Sequence, residues 1–207
     1  MIKAIIFDLE GTIVKGLPVL INCLNELSAG YNYSKITNSS DFRDKSLQKG
    51  IKENLGLPFY QLPSYAKKLK SLLDCQLKDA QLVEDIKPIL KELSCSYANG
   101  FLTLVSRETA QHLIENNKII GLKFVYHDSP VLNRSKIIKE ILEKYQLTSS
   151  EVIYIGDKVE DIQACKKTRI KMIAVSWGYN SKEALKKENP DYLIDRPEEL
   201  LKILKPS

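Results

Sequence analysis

Short apolar runs alternate with segments of helical periodicity along most of the chain, and this alternation restricts the possible folds more than any other feature. The runs are nearly continuous, which is typical of parallel strands covered on both faces. They are residues 4–9, 101–106, 123–128, 151–157 and 171–178, with a short edge strand at 191–195. Helices are predicted between them at 108–118, 135–146, 159–168, 181–188 and 197–204. The pattern predicts an α/β fold with a doubly wound, mostly parallel sheet.

Residues 16–80 interrupt this alternation, because they show helical periodicity and turn signals without a convincing strand. Helices are predicted at 17–30, 41–56 and 63–76, the first two closed by glycines. We therefore predict a core made of residues 1–15 and 81–207, with a helical unit of residues 16–80 inserted after the first strand. A chain of 207 residues is long enough to bury such a core and to carry a smaller unit.

Composition argues against several classes of protein. The chain has 31 basic and 26 acidic residues and a net charge of +5, spread without a basic block, so no nucleic-acid partner is expected. No apolar run approaches the roughly 20 residues that span a bilayer, and no leader pattern precedes the first strand. The four cysteines are scattered, which argues against a zinc site and fits a reducing compartment. We expect a cytoplasmic protein, without membrane association, that acts as a monomer or homodimer.

Two acids follow the first apolar run in the stretch "KAIIFDLEGT". In doubly wound sheets, ligands bind beyond the carboxyl ends of the strands, which is where Asp8 and Glu10 are expected. Because they are two residues apart in extended chain, their side chains can point to the same side. Gly11 allows a sharp turn after them, and the Thr12 hydroxyl can fix that turn.

A second pair of acids follows the fourth strand in "IGDKVEDI". Asp157 is expected at the strand tip, and Asp161 lies four residues on, in the first turn of the next helix, so the two can converge. Glu160 is a nearby alternative. Clustered carboxylates repel one another, and a hard divalent cation with oxygen ligands relieves that repulsion, for which Mg²⁺ fits best.

Three basic residues and one serine complete the set of candidates. Ser106 ends the second predicted strand at a helix start, where a hydroxyl and free N–H groups can bind a phosphate, and Arg107 follows it. Arg134 and Lys136 offer cations at the start of another helix. Phosphoryl transfer uses this combination of groups: carboxylates, a divalent cation, a serine and a basic residue.

These motifs resemble a known family. "DLEGT", "VS" at a strand end, a basic residue opening a helix and "GDKVED" look like the four motifs of the haloacid dehalogenase (HAD) superfamily, in the same order. The resemblance covers the whole chain. It implies a Rossmann-like HAD core with an inserted C1-type helical cap. The segments "MIAVSWGYNSKEAL" and "DYLIDRPEELLKIL" resemble phosphoglycolate-phosphatase-like members.

The resemblance implies catalytic roles for the first two acids. Asp8 would be the nucleophile that forms an aspartyl-phosphate, and Glu10 the general acid that protonates the leaving oxygen and later activates water. The family usually has aspartate at position 10. Glutamate places the carboxyl about 1 Å further out, a displacement that can cost about 10²-fold in rate. Some phosphatase branches carry "D-x-E-G-T", whereas dehalogenase members lack an acid here, so Glu10 favours a phosphatase.

The remaining motif residues would bind metal and phosphate. The Mg²⁺ ligands implied by the resemblance are Asp8, the backbone carbonyl of Glu10, Asp157 and Asp161. Ser106 and Arg107 would hold the phosphoryl group, and one further cation would neutralise it. The position of Arg134 on the helix relative to Ile137 and Ile138 favours Arg134 for that cation. The type of residue usual at this motif favours Lys136, so both remain candidates.

The function expected from this resemblance is a Mg²⁺-dependent phosphatase that acts on a small phosphorylated metabolite, with phosphoglycolate as the first candidate. One alternative is a phosphomutase of the β-phosphoglucomutase type. A catalytically inactive HAD-like module that binds Mg²⁺ and a phosphoester is another. A phosphonate hydrolase would need a Schiff-base lysine in the cap, for which Lys15, Lys35 and Lys45 are candidates. Arg43 is expected on a solvated helix face.

Overall fold

A six-stranded parallel sheet forms the centre of the computed structural model, which describes residues 1–38, 43, 55–127 and 134–204. Its strand order is β3-β2-β1-β4-β5-β6, with every neighbouring pair parallel. The strands are β1 (Ala4–Asp8), β2 (Ala98–Thr103), β3 (Leu122–His127), β4 (Val152–Gly156), β5 (Lys171–Val175) and β6 (Tyr192–Ile194). The predicted doubly wound α/β fold is confirmed.

Helices connect the strands and cover both faces of the sheet. Those in the described residues are α1 (Gly16–Tyr31), α2 (Leu62–Leu77), α3 (Ile86–Leu93), α4 (Arg107–Asn116), α5 (Arg134–Lys144), α6 (Val159–Thr168), α7 (Lys182–Lys187) and α8 (Glu199–Leu204). Helix α1 ends one residue later than predicted, because Asn32 adopts a left-handed conformation (φ 58°) and closes the helix in place of Gly30. Most of the helix predicted at 41–56 lies outside the described residues. Within the described part, no helix combines the length and apolarity that a membrane crossing requires.

The alternation of side chains along β1 explains why the sheet is covered on both faces. Ile5 and Phe7 belong to one apolar cluster, with residues of α3, α4 and α8. Ala4 and Ile6 belong to the opposite cluster, with residues of α5, α6 and α7. Because both sets are buried, the strand reads as a continuous apolar run, and its first polar residue marks the edge of the sheet.

Helices α1 and α2 form an apolar cluster of their own between β1 and β2 in the chain. Its buried members are Leu20, Cys23, Leu24, Leu55, Leu57, Tyr65 and Leu69. The end of α2 also reaches the main core, where Leu77 is buried. The division into a core of 1–15 and 81–207 and an inserted unit of 16–80 remains a prediction.

Strand β2 begins and ends three residues earlier than the apolar pattern predicts. Two residues that are uncommon in strands lie inside it, each with a specific contact. The Asn99 side chain donates to the Leu90 carbonyl at 3.2 Å. At Gly100, a Cβ atom would lie 2.0 Å from the Phe124 ring, so the missing side chain makes room for that ring. Because β2 ends earlier than predicted, its last residue is Thr103. Leu102 is the residue paired with Asp8 of β1, so Thr103 lies one residue beyond that pair.

The start of β4 carries an ion pair that makes stability depend on pH. The Lys3 ammonium, 2.6 Å from the Glu151 carboxylate, and two hydrogen bonds from Thr148 lower the pKa of Glu151 from 4.5 to about 2. A lowered folded-state pKa stabilises the fold above the unfolded pKa, and this contribution is lost as pH falls from about 4.5 to about 2.

We therefore predict that Glu151→Gln lowers the urea midpoint of unfolding at pH 7, and that its difference from wild type narrows as pH falls below about 4.5. Urea titrations at several pH values between 7 and 3 measure this difference. The control is Glu92→Gln, at an exposed glutamate of α3. If the difference in urea midpoint between Glu151→Gln and wild type stays constant over this pH range, the lowered pKa of Glu151 is contradicted.

Candidate active site

Three buried aspartates converge at the carboxyl edge of the sheet. Asp8 ends β1, Asp157 follows β4 directly, and Asp161 lies in the first turn of α6. Since β1 and β4 are neighbours in the sheet, their tips are adjacent. One carboxylate oxygen of each residue lies within 4.8 Å of the others. Glu160, the alternative to Asp161, is exposed.

Two cations neutralise these carboxylates. Lys158 places its Nζ 2.9 Å from Asp8 Oδ2, and Arg134 places Nη2 3.3 Å from Asp8 Oδ1. Arg134 also forms an ion pair with Asp161, so it bridges the ends of β1 and α6. Lys136, two residues further along α5, is exposed. Lys158 was given no role from the sequence, although its place between Asp157 and Asp161 could have indicated one.

These charges shift the pKa values of two aspartates in opposite directions. Burial alone would raise the pKa of Asp8, but the charges of Lys158 and Arg134 outweigh it and hold that pKa below its ordinary value. Burial raises the pKa of Asp157 to about 7, against the effect of Lys158 and with the help of the Asp8 charge. Asp8 is therefore ionised at neutral pH, whereas the pKa of Asp157 lies close to neutral pH.

Asp157 is held by the two loops that flank it. Its Oδ1 accepts from the Thr12 hydroxyl at 3.1 Å, and its Oδ2 accepts from the Tyr179 backbone N–H at 2.6 Å. Gly11 has φ 92°, and a Cβ atom there would lie 2.2 Å from Asp157 Oδ2. Since that oxygen is fixed by Tyr179, the close approach of the two chains requires glycine at this position.

The donor set fits a hard divalent cation. Three buried carboxylates face two cations, and burial together with the Asp8 charge raises the pKa of Asp157. Divalent cations such as Mg²⁺ and Ca²⁺ take carboxylate and backbone carbonyl oxygens of this kind. Asp8, Asp157 and Asp161 could hold such an ion, and the Glu10 carbonyl lies beside them, 3.4 Å from Lys158 Nζ.

The side chain of Glu10 forms its hydrogen bonds with the end of the neighbouring strand β2 and the residues that follow it. Its Oε1 accepts from the Thr103 hydroxyl at 2.9 Å and from the Val105 backbone N–H at 3.0 Å. Its Oε2 is buried and has no hydrogen-bond partner among the described residues. Burial and the neighbouring Asp8 charge raise the pKa of Glu10, which favours the protonated carboxyl. Thr103 was not singled out from the sequence, because the strand predicted at 101–106 places it in the strand interior and not at the tip.

Ser106 caps helix α4, as its position at a helix start suggested. Its hydroxyl accepts from the Thr109 backbone N–H at 3.2 Å and donates to the Thr109 hydroxyl at 2.9 Å. Its own backbone N–H donates to Asp74 of α2 at 2.9 Å. Arg107, the first residue of α4, is exposed. The described contacts of Ser106 are thus with α4 and α2.

The loop after β5 connects the carboxyl edge of the sheet to Arg43, which lies in the segment between β1 and β2. The Asn180 side chain accepts from the Val159 N–H at 2.8 Å and donates to the Arg43 carbonyl at 2.5 Å. The Arg43 guanidinium donates to the carbonyls of Ser176 and Gly178 at 3.3 and 3.1 Å. Arg43 is half-buried against this loop, in contrast to the solvated face expected from the sequence.

This chain is similar over nearly its whole length to several known phosphatases and hydrolases. A phosphoglycolate phosphatase from Synechococcus elongatus is 28% identical over 207 residues, covering 96% of this chain and 95% of that protein. The pyrophosphatase PpaX of Bacillus mycoides is 24% identical, covering 98% of this chain and 97% of that protein. A haloacid dehalogenase-like hydrolase from Streptococcus pneumoniae has a similar structure, with a TM-score of 0.88, 27% identity and 99% of both chains covered.

The family model for haloacid dehalogenase-like hydrolases matches residues 5–175, which include strands β2 to β5, all but the first residue of β1, and the three converging aspartates. The resemblance inferred from the four sequence motifs is therefore confirmed. This chain belongs to the haloacid dehalogenase-like hydrolases.

Proposed function

We propose that this protein is a Mg²⁺-dependent phosphatase that hydrolyses a small phosphomonoester through a phosphorylated Asp8. The observation that carries the proposal is the environment of Asp8, which is buried, ionised and in contact with Lys158 and Arg134 beside two further carboxylates. An anionic nucleophile with adjacent cations can approach a negatively charged phosphoryl group, because the cations offset the repulsion between them.

In the first step, a carboxylate oxygen of Asp8 attacks phosphorus while the bond from phosphorus to the ester oxygen breaks. The electron pair of that bond goes to the leaving oxygen, which takes a proton from Glu10. The products are a free alcohol, a phosphorylated Asp8 and an ionised Glu10. Arg134 and Lys158 stabilise the charge on the phosphoryl oxygens.

In the second step, Glu10 removes a proton from water as the water oxygen attacks phosphorus. The bond between phosphorus and Asp8 breaks, and its electron pair returns to the carboxylate. Inorganic phosphate leaves, Asp8 is again ionised and Glu10 is again protonated. The raised pKa of Glu10 suits both roles, since the group must hold its proton at the start of the cycle.

Asp8, Asp157, Asp161 and the Glu10 carbonyl would hold the Mg²⁺ ion. When bound, the ion supplies positive charge to the phosphoryl oxygens and orients them toward Asp8. Thr12 and the Tyr179 N–H fix Asp157 and so keep its carboxylate in position at the site.

The proposed substrate is phosphoglycolate or a similar small phosphomonoester. This choice rests on the relatives named as phosphoglycolate phosphatases, which this chain matches over nearly its whole length. We also propose that residues 16–80 form a cap over the site. Support for the cap comes from the separate apolar cluster of α1 and α2 and from the contact of Arg43 with the loop after β5.

We predict that the protein releases inorganic phosphate from phosphoglycolate with Mg²⁺ and loses this activity with EDTA.

Asp8→Asn should abolish turnover, because the neutral amide cannot attack phosphorus, while thermal melting shows an intact fold. Asp79→Asn, at an exposed aspartate beyond α2, is the control and should keep wild-type activity. A panel of phosphomonoesters with phosphate detection measures the rates. Activity retained in Asp8→Asn refutes the nucleophile, and transfer of phosphate to a sugar hydroxyl identifies a phosphomutase.

Glu10→Gln should lower kcat on phosphoglycolate by about 10²- to 10⁴-fold, because the amide can neither donate nor accept the transferred proton. Glu160→Gln is the matched control, since Glu160 is close in sequence to Asp161 but exposed. It should retain the wild-type rate. Steady-state kinetics with saturating Mg²⁺ provide the measurement. A Glu10→Gln enzyme as fast as wild type would show that Glu10 is not the proton donor.

A further inference from the structure

The two oxygens of Glu10 have different surroundings. Oε1 accepts two hydrogen bonds from the end of β2, from the Thr103 hydroxyl and the Val105 N–H, at 2.9 and 3.0 Å. Oε2 is buried but has no hydrogen-bond partner among the described residues. An oxygen that accepts two hydrogen bonds is the poorer site for a proton, so the proton of the neutral carboxyl belongs on Oε2.

The groups that hold Oε1 are themselves fixed. Thr103 is fully buried at the last position of β2, and its hydroxyl also accepts from the Val105 N–H at 3.2 Å. The carbonyl of Val105 accepts from Nδ1 of His127, the last residue of β3, at 3.1 Å. Since a carbonyl can only accept, this contact places the ring proton on Nδ1. Hydrogen bonds from two neighbouring strands therefore determine where Glu10 Oε1 lies.

We propose that Thr103 is a positioning residue that selects Oε2 of Glu10 as the oxygen that transfers the proton. This inference rests on the proposed function. With Oε1 held by Thr103 and the Val105 N–H, the carboxyl rotates less, and Oε2, which has no hydrogen-bond partner among the described residues, is the oxygen left to carry the proton. In the reaction, the bond from phosphorus to the ester oxygen breaks, its electron pair stays on that oxygen, and the proton moves there from Oε2. Glu10 is left as the carboxylate, and its Oε1 still accepts the hydrogen bond from the Thr103 hydroxyl.

Threonine suits this role because its hydroxyl donates to Glu10 and accepts from Val105 at the same time. Valine has a similar shape but can do neither, whereas serine keeps both hydrogen bonds. The two substitutions therefore separate the hydroxyl from the methyl group. The hydrogen bonds also hold a glutamate carboxyl that is one methylene longer than the aspartate usual in the family, and so limit the freedom that the extra torsion adds.

The experiment compares two esters whose leaving groups differ in their need for a proton. The alcohol of phosphoglycolate leaves poorly without one, whereas p-nitrophenol leaves readily as an anion. We expect Thr103→Val to lower kcat/KM for phosphoglycolate by about 10²-fold, the cost of misplacing a catalytic group by about 1 Å. For p-nitrophenyl phosphate the loss should be less than about fivefold, because no proton transfer is required. Thr103→Ser should restore most of the rate on phosphoglycolate.

Two controls separate positioning from a structural effect. Thr168→Val removes another buried hydroxyl, which bonds to carbonyls of α6 at 2.9 and 3.1 Å, and should leave the ratio of the two kcat/KM values unchanged. In a Glu10→Gln background, adding Thr103→Val should change kcat/KM for phosphoglycolate by less than about twofold, because the two residues act as one unit. Should Thr103→Val fail to fold, Thr103→Ala compared with Thr103→Ser provides the same test.

Equal losses on the two esters, or a full loss in the Glu10→Gln background, overturn the role of Thr103 and leave the proposed phosphatase intact. A wild-type protein that hydrolyses neither ester with Mg²⁺ overturns the proposed function itself.

Discussion

Electrostatic repulsion among the buried aspartates is the constraint on which the rest of this structure depends. Asp8, Asp157 and Asp161 are each withdrawn from water at the carboxyl edge of one sheet, where their charges would make folding unfavourable without compensation. Lys158 and Arg134 supply two positive charges, and a divalent cation would supply the rest. The strand order brings β1 and β4 side by side, so the fold creates the repulsion and the site at the same place.

Two acids separated by one residue acquire opposite properties because the chain turns them toward different neighbours. Asp8 faces the cations, which lower its pKa, whereas Glu10 faces the uncharged end of β2 and has a raised pKa. A nucleophile must be ionised and a general acid must be protonated, so the two shifts match the two roles proposed here. The cations beside Asp8 come from α5 and from the loop after β4, whereas burial and the Asp8 charge act on Glu10, so the opposite shifts depend on the three-dimensional surroundings of each acid.

The sequence predicted the α/β fold and the meeting of three aspartates because both follow from simple periodicity and strand direction. The two ends of β2 were predicted three residues too late. Asn99 and Gly100 are uncommon in strands, and they fit this one through contacts with Leu90 and Phe124, which lie elsewhere in the chain. Similarly, the choice between Arg134 and Lys136 depended on the packing of α5, which leaves Lys136 exposed. Residues whose role comes from three-dimensional neighbours alone could not be found by pattern.

Lys158 contacts two of the three aspartates, one through its backbone and one through its side chain. Its backbone N–H donates to Asp161 at 3.2 Å, and its ammonium lies 2.9 Å from Asp8. This residue therefore links the tip of β1 to the first turn of α6, as Arg134 does. An arginine here would keep the charge but alter the shape of this link, and a shorter side chain would lose the contact with Asp8, so geometry and electrostatics are coupled at this point.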